Sequence, residues 1–353
     1  MPVLGLKLEP LDTLFFRDGR PFTGRAESGL PTPQTLAGAL RTFFLKQLDC
    51  DFEDLGQAMR EGLSFAEALA EQDLEAIAQI QFKGPWLARW NDSDPSLWFP
   101  VPAALRRLKG EKDLRRLLPS KRSFSGWNPP VPDMLPLWLS EPAQVEALNG
   151  FISMGGLRSF LAGKIPQPAE IMAPSELYSF EERTGIGIEA FSQSASEGQI
   201  FAVKLLRLQE KTGFYAEIEL PEKLLSLLPK ENGILHWGGE GRRVAFSQVK
   251  ALPWTKTEPQ LQAGCKICLL TSPALIETPT VLNRWKPQAA ALYPWQAVSG
   301  WDLALGGPKP LRWLLPAGSV LYFLNEQPLP KLCSAEAVQL GWGTYLEGVS
   351  DYV

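Results

Sequence analysis

Residues 236–243 read HWGGEGRR, three glycines around Glu240 followed by two arginines. Gly238, Gly239 and Gly241 allow a backbone to approach a ligand closely and to present N–H groups. Arg242 and Arg243 add planar guanidinium forks that match phosphate oxygens. The pattern fits a cradle for the backbone of a single-stranded nucleic acid, and it also fits a tight turn with a solvated arginine pair. A second glycine string, GWGTYLEG at 341–348, offers Gly341 and Gly343 to RNA, to a neighbouring protein, or to a bulged turn before a last strand. Residues 15–22, FFRDGRPF, place Arg17 and Arg20 around the Asp18-Gly19 turn signal, with Arg25 close behind and Asp18 able to orient one of them. Phe15, Phe16 and Phe22 fit core or interface anchors better than base-stacking platforms. Residues 105–122 carry Arg106, Arg107, Lys109, Lys112, Arg115, Arg116, Lys121 and Arg122 against only Glu111 and Asp113. As a helix this stretch would make a positive patch, either a solvated face or a contact for RNA or an acidic neighbour.

Catalytic and cofactor chemistry finds less support. His236 is the single histidine and has no second titratable partner in its motif, which suits a structural position better than a general base. Cys265 and Cys268 form a solitary CxxC inside an apolar strand, without the two further ligands a zinc site needs. No glycine cluster ends in Gly-Lys-Ser/Thr, so nucleotide-phosphate binding of the Walker type is not indicated. The expectation is a non-enzyme without cofactor or metal.

At 353 residues the chain is long for a single domain. Hydrophobic residues at 45% and charged residues at 21% place it among folded globular proteins. Lys and Arg together number 35 against 39 Asp and Glu, a net charge of −4, so any RNA site must be local. Four scattered cysteines suit a reducing cytoplasm better than a disulfide framework, and no apolar run approaches the ~20 residues that span a bilayer.

Several elements must hold these residues. Period-two apolar spacing at Leu4, Leu6 and Leu8 predicts a first strand over 3–9. Leu36, Ala39, Leu40, Phe43 and Phe44 predict a helix over 33–48, with Thr32 as N-cap and Pro33 in the first turn. A second helix is expected over 65–80 and a long insertion over about 82–180. Two apolar runs, 199–208 and 214–220, suggest a hairpin, followed by a helix over 221–228 and strand-like sequence over 233–249. Strand, helix, two strands, helix, strand is the order of a ferredoxin-like unit. After a polar linker at 257–262, a strand at 265–270 partly restarts that order.

FFRDGRPF with the later PTPQTLAGALR resembles the amino-terminal signature of the third subunit of Cmr-type (III-B) CRISPR complexes, a member of the RAMP superfamily. Further matching strings are RTGIGI at 183–188, EGQIF at 197–201, GGEGRR at 238–243, TSPAL at 271–275, SGWDL at 299–303, KPLRWLLPAGSVLYF at 309–323 and GWGTYLEG. The resemblance implies an α+β fold of two ferredoxin-like (RRM-like, βαββαβ) RAMP domains. Residues 1–254 would form the first, with the insertion inside it, and 258–353 the second. It implies a non-catalytic subunit that grips the 5′ repeat-derived handle of CRISPR RNA and meets a large polymerase-like subunit and the backbone subunits. The hairpin over 183–201 would be a thumb pressing between handle and guide, with Arg183 near its base. The expected RNA-binding set is Arg17, Arg20, Arg25, Arg183, Gly238, Gly239, Gly241, Arg242, Arg243, Gly341 and Gly343. A metal-independent ribonuclease of the same superfamily and a pure scaffold are the alternatives.

Overall fold

The computed structural model describes residues 1–17, 26–122, 124–188, 195–253, 264–278, 280–302 and 306–353. Antiparallel strands dominate, and the longest described helix has 15 residues, so the fold is mixed α+β with few helices. The chain makes two compact units. One contains Met1–Pro85, Leu177–Lys250 and Ala297–Leu311; the other contains Trp86–Glu176, Ala251–Gln296 and Arg312–Val353.

In the first unit the alternating amino terminus forms the strand Val3–Pro10, with Leu6 and Leu8 fully buried. It pairs antiparallel on both sides, with Thr212–Glu219 (Leu8 opposite Phe214) and with Arg243–Val249 (Leu8 opposite Phe246). Asn232–His236 pairs in turn with Arg243–Val249. The predicted first helix spans Pro33–Gln47 and buries Leu36, Ala37, Leu40, Phe44 and Leu45, while Phe43 meets Phe246 edge-on at 5.1 Å. Thr32 is its N-cap but makes no side-chain cap. Pro33 at the first position has no N–H to satisfy, and the Thr35 hydroxyl donates to the Thr32 carbonyl at 2.7 Å.

Local pattern misled at three places in this unit. The helix expected over 65–80 stops as Phe65–Ala70 and resumes as a 3-10 turn, Glu75–Gln79. Asp73 turns left-handed (φ 58°), the Leu74 N–H returns to the Leu69 carbonyl, and the Gln72 amide exchanges two hydrogen bonds with the Asp51 backbone, which ends the helix against its neighbour. Residues 221–228 likewise form only a 3-10 turn, Glu222–Leu227. The expected hairpin of 199–208 with 214–220 does not form. Ala195–Leu208 pairs instead with Tyr178–Ile188 as a long antiparallel ribbon, and Lys211 (φ 56°) hands the chain over to Thr212–Glu219 beside the first strand. Seven successive residues of that strand are buried, a demand only a central sheet position satisfies.

The second unit contains a four-stranded antiparallel sheet in the spatial order Ala289–Ala291, Val320–Leu324, Cys265–Leu270, Tyr345–Ser350. Helices Val281–Trp285 and Ala335–Gln339 separate its strands along the chain. Of the stretch expected as an insertion within the first domain, about 82–180, Trp86–Glu176 belongs to this unit. Side-chain bonds stitch them to it: Trp86 Nε1 donates to the Thr271 carbonyl at 2.9 Å, Tyr293 Oη to Val101 at 2.8 Å and Tyr322 Oη to Leu117 at 3.2 Å. The basic stretch is not helical. Leu105–Leu108 and Leu114–Arg116 are paired strands, and Arg116 is buried, donating to the carbonyls of Phe160 (2.7 Å) and Val349 (3.0 Å) over the Phe160 ring. Burial pulls its pKa down, and with its guanidinium committed to two carbonyls inside this unit Arg116 is a structural residue rather than part of a surface patch.

Cys265 and Cys268 are buried in the sheet, and burial pushes the Cys265 thiol up to about 11. Among the described residues no helix is long and apolar enough to cross a membrane.

Glycine spacing gives a test of these packings. A Cβ at Gly348 would lie 2.4 Å from the Leu161 carbonyl oxygen, whereas at Gly38, exposed in the first helix, it would meet nothing within 4 Å. Gly348→Ala is expected to destabilise by about 1–3 kcal/mol. Gly38→Ala is expected to stabilise by about 0.5–1 kcal/mol. Thermal midpoints that move in opposite directions would bear this out, and midpoints moving together would contradict the packing.

Candidate nucleic-acid interface

Three parts of the first unit meet: the segment leaving the first strand, the hairpin of Asn232–His236 with Arg243–Val249, and the ribbon. The hairpin tip is anchored by Trp237, 1% exposed, whose ring meets Phe16 edge-on at 5.1 Å and Phe214 at 5.2 Å. Its backbone N–H donates to the Arg242 carbonyl at 3.0 Å, closing the turn. Gly239 N–H donates to the Phe15 carbonyl at 2.8 Å, and a Cβ at Gly238 (φ 93°) would sit 2.6 Å from that same oxygen. The close approach these two glycines permit is thus made first of all to Phe15. Gly241 (φ 64°) differs, with open space around it. All three are exposed, and among the described residues the N–H groups of Gly238, Glu240 and Gly241 have no protein acceptor.

Closing the hairpin onto Phe15 brings Arg242 to Asp12. Three guanidinium groups converge on that carboxylate: Arg242 at 3.0 Å, Arg183 at 3.6 Å and Arg207 at 3.7 Å. The ribbon contributes two of them, and its Glu181 holds both, taking Arg183 Nε at 2.6 Å and pairing with Arg207. Residues 181 and 183 alternate along one strand and so share a face, with Val203 opposite Arg183 and Leu205 opposite Glu181. A hydrogen bond from the Thr13 backbone, then the fields of Arg183, Arg242 and Arg207, hold the Asp12 carboxyl below its ordinary range against the opposing effect of partial burial. Hydrogen bonds from Arg183 and Arg207 do the same for Glu181. Both acids are therefore charged at neutral pH, and their hold on the arginines is lost only as pH falls through the lowered values.

The chemistry left over is that of a cation surface. A guanidinium has five donors, and two carboxylates cannot occupy those of three arginines. Arg183 and Arg207 remain 42% and 49% exposed, Arg242 20%. Arg243, opposite His236 on the hairpin, is exposed and has no ionic partner among the described residues. The result is a set of guanidiniums ordered before any ligand arrives, suited to phosphate oxygens.

Of the expected residues, this cluster brings together Arg183, Gly238, Gly239, Gly241, Arg242 and Arg243. Arg17 is exposed and bridged to Ser28, further along the chain from Asp12. Arg20 and Arg25 lie outside the described residues, as do Asp18, Phe22 and most of the expected thumb tip. Phe15 and Phe16 are buried, as anchors should be. Gly341 and Gly343 do not belong here. They are buried in the second unit, where the Gly341 N–H goes to Val338 (2.9 Å), the Gly343 N–H to Pro273 (2.8 Å), and the Ser272 hydroxyl donates to the Gly341 carbonyl (2.7 Å). With N–H groups spent and surfaces covered, they shape a turn in that unit. Asp12 and Arg207 were not singled out from sequence. Their signal is the ladder itself: Arg207 becomes visible only once 195–208 is paired with 178–188.

The family model of CRISPR-associated protein (Cas_Cmr3) matches residues 6–349. The fold is similar to that of a chain in the type III-B Cmr-beta complex bound to cognate target RNA and AMPPnP, at 16% identity and TM-score 0.52, covering 90% of this chain and 86% of that one. A chain of the same complex bound to cognate target RNA alone gives 14% identity and TM-score 0.53 over the same shares. No curated protein matches in sequence. The chain belongs to the Cas_Cmr3 family of CRISPR-associated proteins.

Gly238→Ala forces a side chain into left-handed backbone and against the Phe15 carbonyl, so it should loosen the hairpin and raise amide exchange across 232–249. Gly241→Ala meets open space and should cost only about 1–2 kcal/mol of left-handed backbone energy. Equal exchange in the two variants would contradict the docking of the hairpin on Phe15.

Proposed function

We propose that this chain is a non-catalytic subunit of a type III-B CRISPR effector complex that binds the 5′ repeat-derived handle of CRISPR RNA and docks on the large polymerase-like subunit. Its two units are read in the same way as ferredoxin-like RAMP domains. The strand order around Cys265–Leu270, with a helix after the first and the third strand of that sheet, supports the second of them. The single observation that carries the RNA reading is the convergence of Arg183, Arg207 and Arg242 on Asp12 beside the glycine hairpin. A single strand of RNA needs cations that follow its phosphates and backbone loops that admit it closely, and this corner of an otherwise acidic chain combines both. Family membership over residues 6–349 supports the assignment to a CRISPR effector.

The non-catalytic part rests on side-chain chemistry. Arginine stays protonated at any physiological pH and cannot serve as a general base. His236 is exposed, and its register partner is Arg243, which cannot act as a base. Loss of RNA cleavage on His236→Ala would establish the ribonuclease alternative instead.

Arg207→Glu with Arg243→Glu changes exposed side chains and leaves Arg242 on Asp12. In the complex with the large subunit, this pair is expected to weaken binding of the host's own CRISPR RNA at least about tenfold. Its salt dependence should flatten by about 0.7 of a slope unit for each phosphate of the single strand that the two arginines no longer neutralise. Co-purification with the large subunit should be unchanged. Undiminished RNA affinity would count against the handle reading and favour a scaffold.

A further inference from the structure

The loop of the second unit between strands Leu118–Pro119 and Leu137–Trp138 carries exposed indoles that the proposed function does not use. The strands pair Leu118 with Trp138 and Pro119 with Leu137, so the loop leaves and returns at one place. Trp127 and Trp138 are 44% and 48% exposed. Neither is loose. Trp127 donates Nε1 to the Met134 carbonyl at 2.9 Å and its backbone N–H to the Phe124 carbonyl at 3.2 Å. The Phe124 ring in turn packs on Trp138, centroids 4.6 Å apart with planes at 34°. One phenylalanine thus ties both indoles into a single ordered surface.

Two cations share this hairpin. Lys121 and Arg122 are exposed at the start of the loop, and Lys121 Nζ lies 4.0 Å over the Tyr352 ring. Two large aromatic residues held half-open cost apolar surface in contact with water, and such side chains on a folded surface mark recognition. An apolar protein partner would favour indoles with few charges at their centre. Indoles in a hairpin that also carries an exposed lysine and an exposed arginine instead match a ligand whose repeating unit has both a flat ring and a negative charge. We propose that this loop binds an unpaired stretch of RNA, with bases stacked on Trp127 and Trp138 and the flanking phosphates met by Lys121 and Arg122. It is a second RNA contact, in the other unit from the arginine cluster, and does not depend on that cluster's assignment.

The test uses the full chain with Arg207→Glu and Arg243→Glu already in place, and a fluorescent oligouridine of about ten nucleotides, within the span such platforms accept. This background is expected to bind the probe. Trp127→Ala and Trp138→Ala should each weaken that binding between about fivefold and a hundredfold, and Trp138→Phe should restore most of it. Because Trp127→Ala also removes the bond to Met134, the exposed pair Lys121→Glu with Arg122→Glu provides the second readout, lower affinity with a shallower salt dependence. Absence of probe binding in the background would overturn the proposal, as would equal affinity in every variant. Loss of a co-purifying protein with RNA affinity intact would overturn it too, making the loop a protein-docking surface. Failure of the handle reading shows separately, as CRISPR RNA binding that Arg207→Glu with Arg243→Glu leaves intact.

Discussion

The candidate interface of the first unit depends on one close approach, that of the Gly238-Gly239 backbone to the Phe15 carbonyl. An oxygen 2.6 Å from the position of a Cβ is tolerable only where no Cβ exists, and the left-handed φ of Gly238 adds the same requirement. That contact fixes the hairpin against the segment leaving the first strand, with Trp237 wedged between Phe16 and Phe214 beneath it. Asp12, three residues before Phe15, is thereby carried to Arg242. The ribbon enters through a second tie, the paired backbone bonds of Leu14 with Leu206, each 2.8 Å, which set Arg207 beside the same carboxylate.

Electrostatics then follows from position. Asp12 and Glu181 act less as neutralising partners than as holders: each fixes arginines that would otherwise repel one another and sample many rotamers. The ordering cost is met in folding, before a ligand is present, which is the general route to affinity at small contact area. With a net charge of −4 over the whole chain, any attraction for an anionic ligand has to come from this local surface.

Local patterns were legible where burial has a simple period. Leu4, Leu6 and Leu8 announced the first strand, and the spacing from Leu36 to Phe44 the first helix, because each buries one face against one neighbour. Non-local choices were not legible. Nothing in 199–208 and 214–220 distinguishes mutual pairing from separate partners, and the outcome is decided by how completely Phe214, Tyr215, Ala216 and Ile218 are covered. The insertion was visible as a change of texture, but its attachment to the second unit rests on side-chain bonds such as Trp86 to Thr271. In the candidate site, glycine and arginine strings were conspicuous, yet the GGEGRR and GWGTYLEG glycines have different roles. One set lines an exposed hairpin tip, while Gly341 and Gly343 are buried under their own hydrogen bonds. Asp12 had no motif to mark it, since its importance comes from three arginines distant in sequence.

Whether the arginine cluster and glycine hairpin lie against the RNA handle can be read by placing 4-thiouridine at each handle position of the CRISPR RNA in the assembled complex, irradiating, and mapping the linked peptides of this chain. Links are expected within the ribbon strands Tyr178–Ile188 and Ala195–Leu208 and within the hairpin of Asn232–His236 with Arg243–Val249. Handle links confined to the rest of the chain, or to other subunits, would contradict that contact.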